Sequence, residues 1–100
     1  MILHYAATFS PSLDSPYEYN VELPDFGVRF AVPAGSIQSM KKAAVEELGM
    51  LVYDYKDEGK PLPSARMVKV EQVGNVFIDY VSCDYDKFIR GLRIRNIDLS

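Results

Sequence analysis

The side chains that could take part in chemistry are few, and the carboxylates are the first to consider. Glu46, Glu47 and Asp79 could bind divalent metal ions and so support the hydrolysis of a phosphodiester. Such a reaction needs several carboxylates gathered around the scissile phosphate. Carboxylates on helices and strand edges are most often solvated surface charges, so these three residues alone give little support for a metal site.

The other reactive side chains occur singly. His4 is the only histidine and Cys83 the only cysteine, which excludes an internal disulfide and a zinc cluster. His4 has no serine or cysteine nearby in the sequence that it could activate as a general base. Asp84 and Asp86 disfavour a thiolate at Cys83, and the chain has no glycine-rich phosphate loop. We therefore expect a protein that is not an enzyme and needs no cofactor.

Residue periodicity predicts the elements that position these side chains. Alternating apolar residues predict strands at 3–9, 17–23 and 28–32, separated by turns rich in proline and glycine. Ser36 is a good N-cap, and apolar residues at helical spacing from Ile37 to Tyr55 predict an amphipathic helix. A fourth main strand is predicted at 75–83, and residues 67–70 are compatible with a short edge strand.

The element order β-β-β-α-β predicts a single α+β domain, with an antiparallel meander, one amphipathic helix and a returning strand. A right-handed crossover after the helix would place the last strand parallel to a neighbour. Tyrosine and phenylalanine recur along the strands. We therefore expect the sheet face opposite the helix to be aromatic, and to be covered by a partner or a second copy.

This order also matches the first half of an RNase H-like fold. A nuclease of that fold keeps a metal-binding carboxylate midway along its first strand, and the strand predicted at 3–9 contains no acidic residue. A metal-dependent nuclease is therefore the least favoured alternative.

Composition and charge restrict the class of protein further. The chain has 100 residues, of which 48% are hydrophobic and 12% aromatic, enough for one packed core. No apolar run approaches the roughly 18 residues of a membrane span, and no signal peptide is visible, so a cytoplasmic protein is predicted. Residues 1–86 hold seven Lys and Arg against thirteen Asp and Glu, whereas residues 87–100 hold four against one. We therefore divide the chain into an acidic domain, 1–86, and a basic tail, 87–100, which is either functional or a solvated end.

An ordered set of motifs resembles the HicB antitoxins of bacterial toxin–antitoxin systems, and it spans residues 3–83. The motifs are Tyr5, Tyr19-x-Val21-x-Leu23-Pro24-Asp25-Phe26, Gly35-Ser36-Ile37 with Ala43-Ala44, and Gly59-x-Pro61-Leu62-Pro63-Ser64. The chain departs from the family pattern after Phe26, where Gly27-Val28-Arg29 replaces the usual Pro-Gly-Cys.

The resemblance implies a catalytically inactive, partial RNase H-like domain. Such a domain would bind a HicA-type toxin, a small basic ribonuclease that cleaves mRNA, and would sterically cover its RNA-binding face. The resemblance also implies a homodimer or higher oligomer. We predict partner contacts at Tyr17, Tyr19, Asp25 and Phe26, although Tyr17 and Tyr19 could equally pack under the helix. The alternative to an antitoxin is a non-catalytic ligand-binding or regulatory module.

The family normally carries a C-terminal DNA-binding domain that represses its own operon. Residues 92–99 alternate in part and resemble the opening strand of a ribbon-helix-helix, whose paired strands read the major groove. Arg93, Arg95 and Asn96 would then be the DNA contacts, and operator binding is expected only where such a domain is present. We accordingly expect the chain to be a truncated part of a longer protein, or else a natural short form or a flexible tail.

Overall fold

The strands form one antiparallel sheet, and the helices pack on one of its faces. The computed structural model describes the backbone of residues 1–99 and the side chains of residues 1–92. The elements in chain order are β1 (Ile2–Pro11), β2 (Glu18–Leu23), β3 (Val28–Pro33), α1 (Ile37–Asp57), β4 (Glu71–Val73), β5 (Val76–Asp84) and α2 (Tyr85–Leu99). The strand order across the sheet is β3-β2-β1-β5-β4. The predicted α+β class is confirmed, and no described helix is long and apolar enough to cross a membrane.

The first three strands form the predicted meander. Thr8 to Pro11 pair with Tyr19 to Glu22, and the whole of β2 pairs with β3. Because side chains alternate between the two faces of a strand, Tyr5 and Phe9 of β1 share a face with Val21 and Leu23 of β2. All four are buried in the core beneath α1.

The last strand runs in the direction opposite to the one predicted. β5 is antiparallel to β1, with Tyr5 opposite Val81, so the predicted parallel pairing is wrong. The reason is the edge strand β4, which the connection after α1 reaches first, and which lies at Glu71–Val73 rather than at 67–70. Gly74, with φ +59°, begins a two-residue turn that sends the chain back as β5.

Helix α1 begins and packs as its sequence predicts. The Ser36 hydroxyl accepts a hydrogen bond from the Ser39 backbone N–H at 3.1 Å, which satisfies one of the free donors at the helix start. The residues buried against the sheet are four apart: Met40, Ala44, Leu48 and Val52. This spacing forms a narrow stripe along one side of the helix and leaves the opposite side free.

Helix α2 was not predicted, and it occupies the segment for which a strand was expected. The partial alternation over 92–99 was a misleading signal, because Tyr85, Phe88, Ile89 and Leu92 recur at helical spacing. Tyr85 and Phe88 are buried in the core. Phe88 packs directly over Gly49 of α1, where a Cβ atom would lie 2.6 Å from the ring. Glycine at this position is therefore what allows α2 to approach α1 so closely.

The aromatic residues of the strands face the helices, so the predicted aromatic outer face is wrong. Tyr5, Phe9, Tyr19 and Phe77 all belong to the core or pack against it. Among the described strand residues, Tyr80 is the only tyrosine or phenylalanine on the opposite face. The strand registers place the aromatic positions together on one side, which the sequence of each strand alone does not specify.

Residues 58–70, called the connector below, pass from the helix side of the sheet to the other side. On the helix side the Tyr5 hydroxyl donates to the Pro63 carbonyl at 2.8 Å. On the opposite side the Tyr80 hydroxyl accepts from the Val68 N–H at 2.8 Å and donates to the Val68 carbonyl at 3.1 Å. The first residues of β1 pair with β5 but not with β2. This missing pairing leaves an opening beside β1, through which the connector can pass from one side of the sheet to the other.

Candidate protein-binding surfaces

Two of the predicted partner contacts, Tyr17 and Tyr19, lie at the start of β2 and differ in exposure. Tyr17 lies in the turn before the strand and is 80% exposed. Tyr19 is partly buried and packs against the core, with its ring 6.3 Å from that of Phe77. Tyr17 is therefore free to contact another molecule, whereas Tyr19 chiefly extends the core.

The other two predicted contacts, Asp25 and Phe26, lie at the far end of β2 and are occupied within the chain. Phe26 is 9% exposed and lies between the rings of Tyr5, at 4.7 Å, and Tyr55, at 5.4 Å, edge-to-face with both. The Asp25 side chain is 4% exposed. Its carboxylate accepts hydrogen bonds from the Arg66 Nε at 2.6 Å and from the Arg66 backbone N–H at 3.2 Å.

The four predicted contacts thus do not form one patch. Tyr17 and Tyr19 are separated from Asp25 and Phe26 by the length of β2, and only Tyr17 is well exposed. Their role in binding a partner stays a prediction, and the geometry gives Asp25 and Phe26 a structural role in the free protein.

One exposed surface is the face of the sheet away from the helices, called the sheet face below. A groove of about 340 Å³ lies over the part of it formed by β1, β2 and β3, and its lining residues are Thr8, Ser10, Pro11, Leu13, Asn20, Glu22 and Arg29. Within it the Arg29 guanidinium and the Glu22 carboxylate form an ion pair at 3.0 Å. Leu13 at the groove and Met67, Val70 and Val73 on the connector and β4 are exposed apolar residues. The sheet face therefore combines a groove of mixed polar and apolar lining with further exposed apolar side chains.

A second exposed surface is the side of α1 that points away from the sheet, called the α1 outer face below. It comprises Glu46, Glu47, Met50, Tyr53, Asp54 and Asp57, all of them exposed. It is the only helix surface in the described part of the chain that combines exposed large apolar side chains with a run of carboxylates. This surface was not predicted, although the period of the α1 sequence would have located it.

The residues first considered for catalysis are scattered. Asp79 lies on the helix side of β5 and pairs with Lys41 at 3.2 Å. No group of three His, Cys, Asp or Glu side chains among the described residues could hold a metal ion. Burial raises the pKa of the Cys83 thiol, and the charges of Asp84 and Glu46 raise it further. Cys83 is therefore held as an unreactive thiol within the core.

The structure brings one pair of reactive side chains together that the sequence did not indicate. His4 Nδ1 lies 2.6 Å from Ser82 Oγ, across the β1–β5 pairing. The two residues are 78 positions apart, so no local motif could have linked them. Both lie exposed on the sheet face, and neither is among the residues that line its groove.

The predicted DNA contacts Arg93, Arg95 and Asn96 have side chains outside the described residues. Helix α2 includes these positions in its backbone, so the strand of a ribbon-helix-helix is not present there. A contribution of the basic tail to DNA binding stays a prediction.

Comparison with known proteins identifies the fold. No model of a protein family matches the chain, and no curated protein is significantly similar to it. Its structure is similar to a solved chain described as "Toxin-Antitoxin complex from Streptococcus pneumoniae", with a TM-score of 0.70 and 23% sequence identity. The match covers 88% of this chain and 73% of that chain. The likeness shows that the two chains share a fold.

Proposed function

We propose that the protein is the antitoxin of a toxin–antitoxin pair, a binding protein that neutralises its toxin by covering it. The observation that carries this proposal is the shared fold, which extends over 88% of the chain, with a protein solved as part of a toxin–antitoxin complex. An inhibitory binding role needs an exposed surface rather than a catalytic cluster. The sheet face and the α1 outer face are two such surfaces among the described residues.

The charge distribution supports a basic partner. The acidic excess lies in residues 1–86, and these residues form the sheet, α1 and the connector. Opposite charges accelerate the encounter of two proteins, from about 10⁵–10⁶ M⁻¹s⁻¹ for neutral surfaces to as much as about 10⁸–10⁹ M⁻¹s⁻¹. A small basic ribonuclease of the HicA type, the toxin that the sequence resemblance implies, has the complementary charge.

The HicB-like motifs gain a physical meaning under this proposal. Tyr5, Phe26 and Pro63 come from three separate motifs and meet at one place, since Tyr5 contacts the Phe26 ring and donates to the Pro63 carbonyl. Asp25 of the same motif as Phe26 binds the connector through Arg66. We infer that these motifs maintain the fold and that the toxin contacts lie elsewhere on the surface.

Two further properties belong to the proposal. Self-association into a dimer or higher oligomer would use exposed apolar residues, which the sheet face supplies. Repression of the operon would need a DNA-binding segment joined to the basic tail. Neutralisation itself needs only the folded domain.

The test is co-expression with the small basic protein that we expect a neighbouring gene to encode. Growth of the host and size-exclusion chromatography of the purified pair are the two measurements. We expect the basic protein alone to arrest growth, and the pair to restore growth and elute as one complex. Arrested growth in the presence of the folded protein, with the two proteins eluting separately, would refute the antitoxin proposal.

A further inference from the structure

We propose that the α1 outer face is the surface on which the basic protein partner docks. This inference rests on the proposed function and adds the location and chemistry of the interface. The surface consists of Met50 and Tyr53, flanked by Glu46, Glu47, Asp54 and Asp57.

The spacing of these residues makes a continuous strip. Glu46, Met50, Tyr53 and Asp57 are separated by four, three and four positions, so they lie one above another on the helix. They are opposite the stripe that α1 buries against the sheet. From Glu46 to Asp57 the strip is about 16 Å long, since each helical residue rises about 1.5 Å.

Apolar side chains form the centre of the strip. Met50 is 40% exposed and Tyr53 is 38% exposed, and the carboxylates lie around them. An apolar centre within a polar rim is the arrangement that protein interfaces use, with methionine and tyrosine both enriched there. The centre would supply affinity and the rim would exclude water and select the partner.

Three of the nearby cations are engaged away from the strip, and a fourth, Lys42, is exposed one turn before Glu46, beyond the end of the strip. Lys41 pairs with Asp79 on the sheet, Lys60 pairs with Glu58 at 2.7 Å, and the Lys56 ammonium lies 5.6 Å from the centre of the Tyr85 ring. Among the described residues, Glu47, Asp54 and Asp57 form no ion pair. Their charges are therefore available to a partner.

This charge decides which occupant fits. A second copy docking through the same surface would bring carboxylates against carboxylates, which is unfavourable. A nucleic acid would be repelled for the same reason. A protein surface with lysine or arginine around an apolar centre satisfies both parts of the strip. The negative charge of the sheet face is less concentrated, because Arg29 pairs with Glu22 there. Its other carboxylates, Glu18 and Glu71, lie on β2 and β4, which are separated by two strands.

The test compares two triple charge reversals in the full chain. The first changes Glu47→Lys, Asp54→Lys and Asp57→Lys on the α1 outer face. The matched control changes Asp14→Lys, Glu18→Lys and Glu71→Lys, which are exposed residues away from α1 and give the same change in net charge. Lysine has a helix propensity close to that of glutamate, and circular dichroism verifies that both variants fold. The Kd and association rate for the neighbouring basic protein are measured at 50 and at about 300 mM salt.

We expect the first variant to bind about 100-fold more weakly at low salt, mainly through slower association, and the control to change by less than about threefold. Met50→Ala with Tyr53→Ala should weaken binding through faster dissociation, with little change in salt dependence. If the two triple variants lose affinity equally, or neither loses it, the α1 outer face is not the docking surface. If the unmodified chain itself fails to bind the basic protein, the proposed function fails first.

Discussion

The two ends of β2 carry aromatic residues that look equivalent in the sequence and have different roles in the structure. Tyr17 precedes the strand and lies exposed in a turn, whereas Phe26 follows it and is buried between two other rings. Each residue lies next to turn residues, and both were predicted to contact a partner.

The difference arises from a segment distant in the sequence. The connector returns to the end of β2 that holds Asp25 and Phe26, and Arg66 bonds to Asp25 across 41 positions. No segment of the described chain bonds to the Tyr17 side chain at the other end. Exposure of a turn residue is thus decided by whether another part of the chain returns to cover it, and not by the composition of the turn.

The strongest test of this comparison replaces each of the two aromatic residues by alanine in a separate variant. Phe26→Ala should lower the free energy of unfolding by about 3–5 kcal/mol, because it removes a ring packed between Tyr5 and Tyr55. Tyr17→Ala should change it by no more than about 0.5 kcal/mol, because the side chain is exposed. Urea unfolding followed by circular dichroism measures both. Equal losses would contradict the contrast between the two ends.

A smaller effect is expected from removing the contact between the connector and Asp25. Arg66→Ala should cost about 1–3 kcal/mol, because it leaves the buried Asp25 carboxylate without its charged partner. Lys69→Ala, also in the connector and exposed, is the control and should cost less than about 0.5 kcal/mol. The same urea experiment applies, and a loss at Lys69 as large as that at Arg66 would show that the ion pair is not what secures the connector.

The smallest effect is expected from deleting one hydroxyl. Tyr5→Phe removes the hydrogen bond to the Pro63 carbonyl and should cost about 0.5–1.5 kcal/mol. Tyr17→Phe is the matched change at the exposed end of β2 and should have no measurable effect. Hydrogen exchange of amides in the connector, read by mass spectrometry, should increase in the first variant alone. Unchanged exchange would mean that Asp25 and Tyr80 hold the connector without Tyr5.

Local patterns predicted the parts of the fold that local contacts determine. Alternation from Tyr17 to Leu23 located β2, and the Ser36 N-cap with its helical spacing located α1. The direction of β5 depended on β4, a strand of three residues with no apolar alternation of its own. Helix α2 was missed because the partial alternation over 92–99 suggested a strand, although Tyr85, Phe88 and Leu92 recur at helical spacing; only its packing against Gly49 is a tertiary interaction that the sequence does not show.

The predicted partner contacts were harder to assess, because their exposure also depends on contacts that are distant in the sequence. The sequence located aromatic and acidic residues, but burial of Phe26 and Asp25 depends on a connector that lies beyond α1. The α1 outer face could be located without knowledge of distant contacts. The helical period of α1 is enough to assign its residues to the exposed side and those of the buried stripe to the opposite side. It was not predicted because the partner contacts were predicted on β2 and its flanking turns alone.

The pairing of β1 with β5 also leads us to expect a particular order of folding. The meander of β1, β2 and β3 joins neighbours in the sequence, so it can form while the rest of the chain is still disordered. Tyr5 and Val81 are partners across the sheet, and bringing them together closes a loop that includes α1 and the connector. We expect this closure to limit the folding rate. Substitutions that weaken β5 should therefore slow folding, whereas those in the connector should mainly speed unfolding.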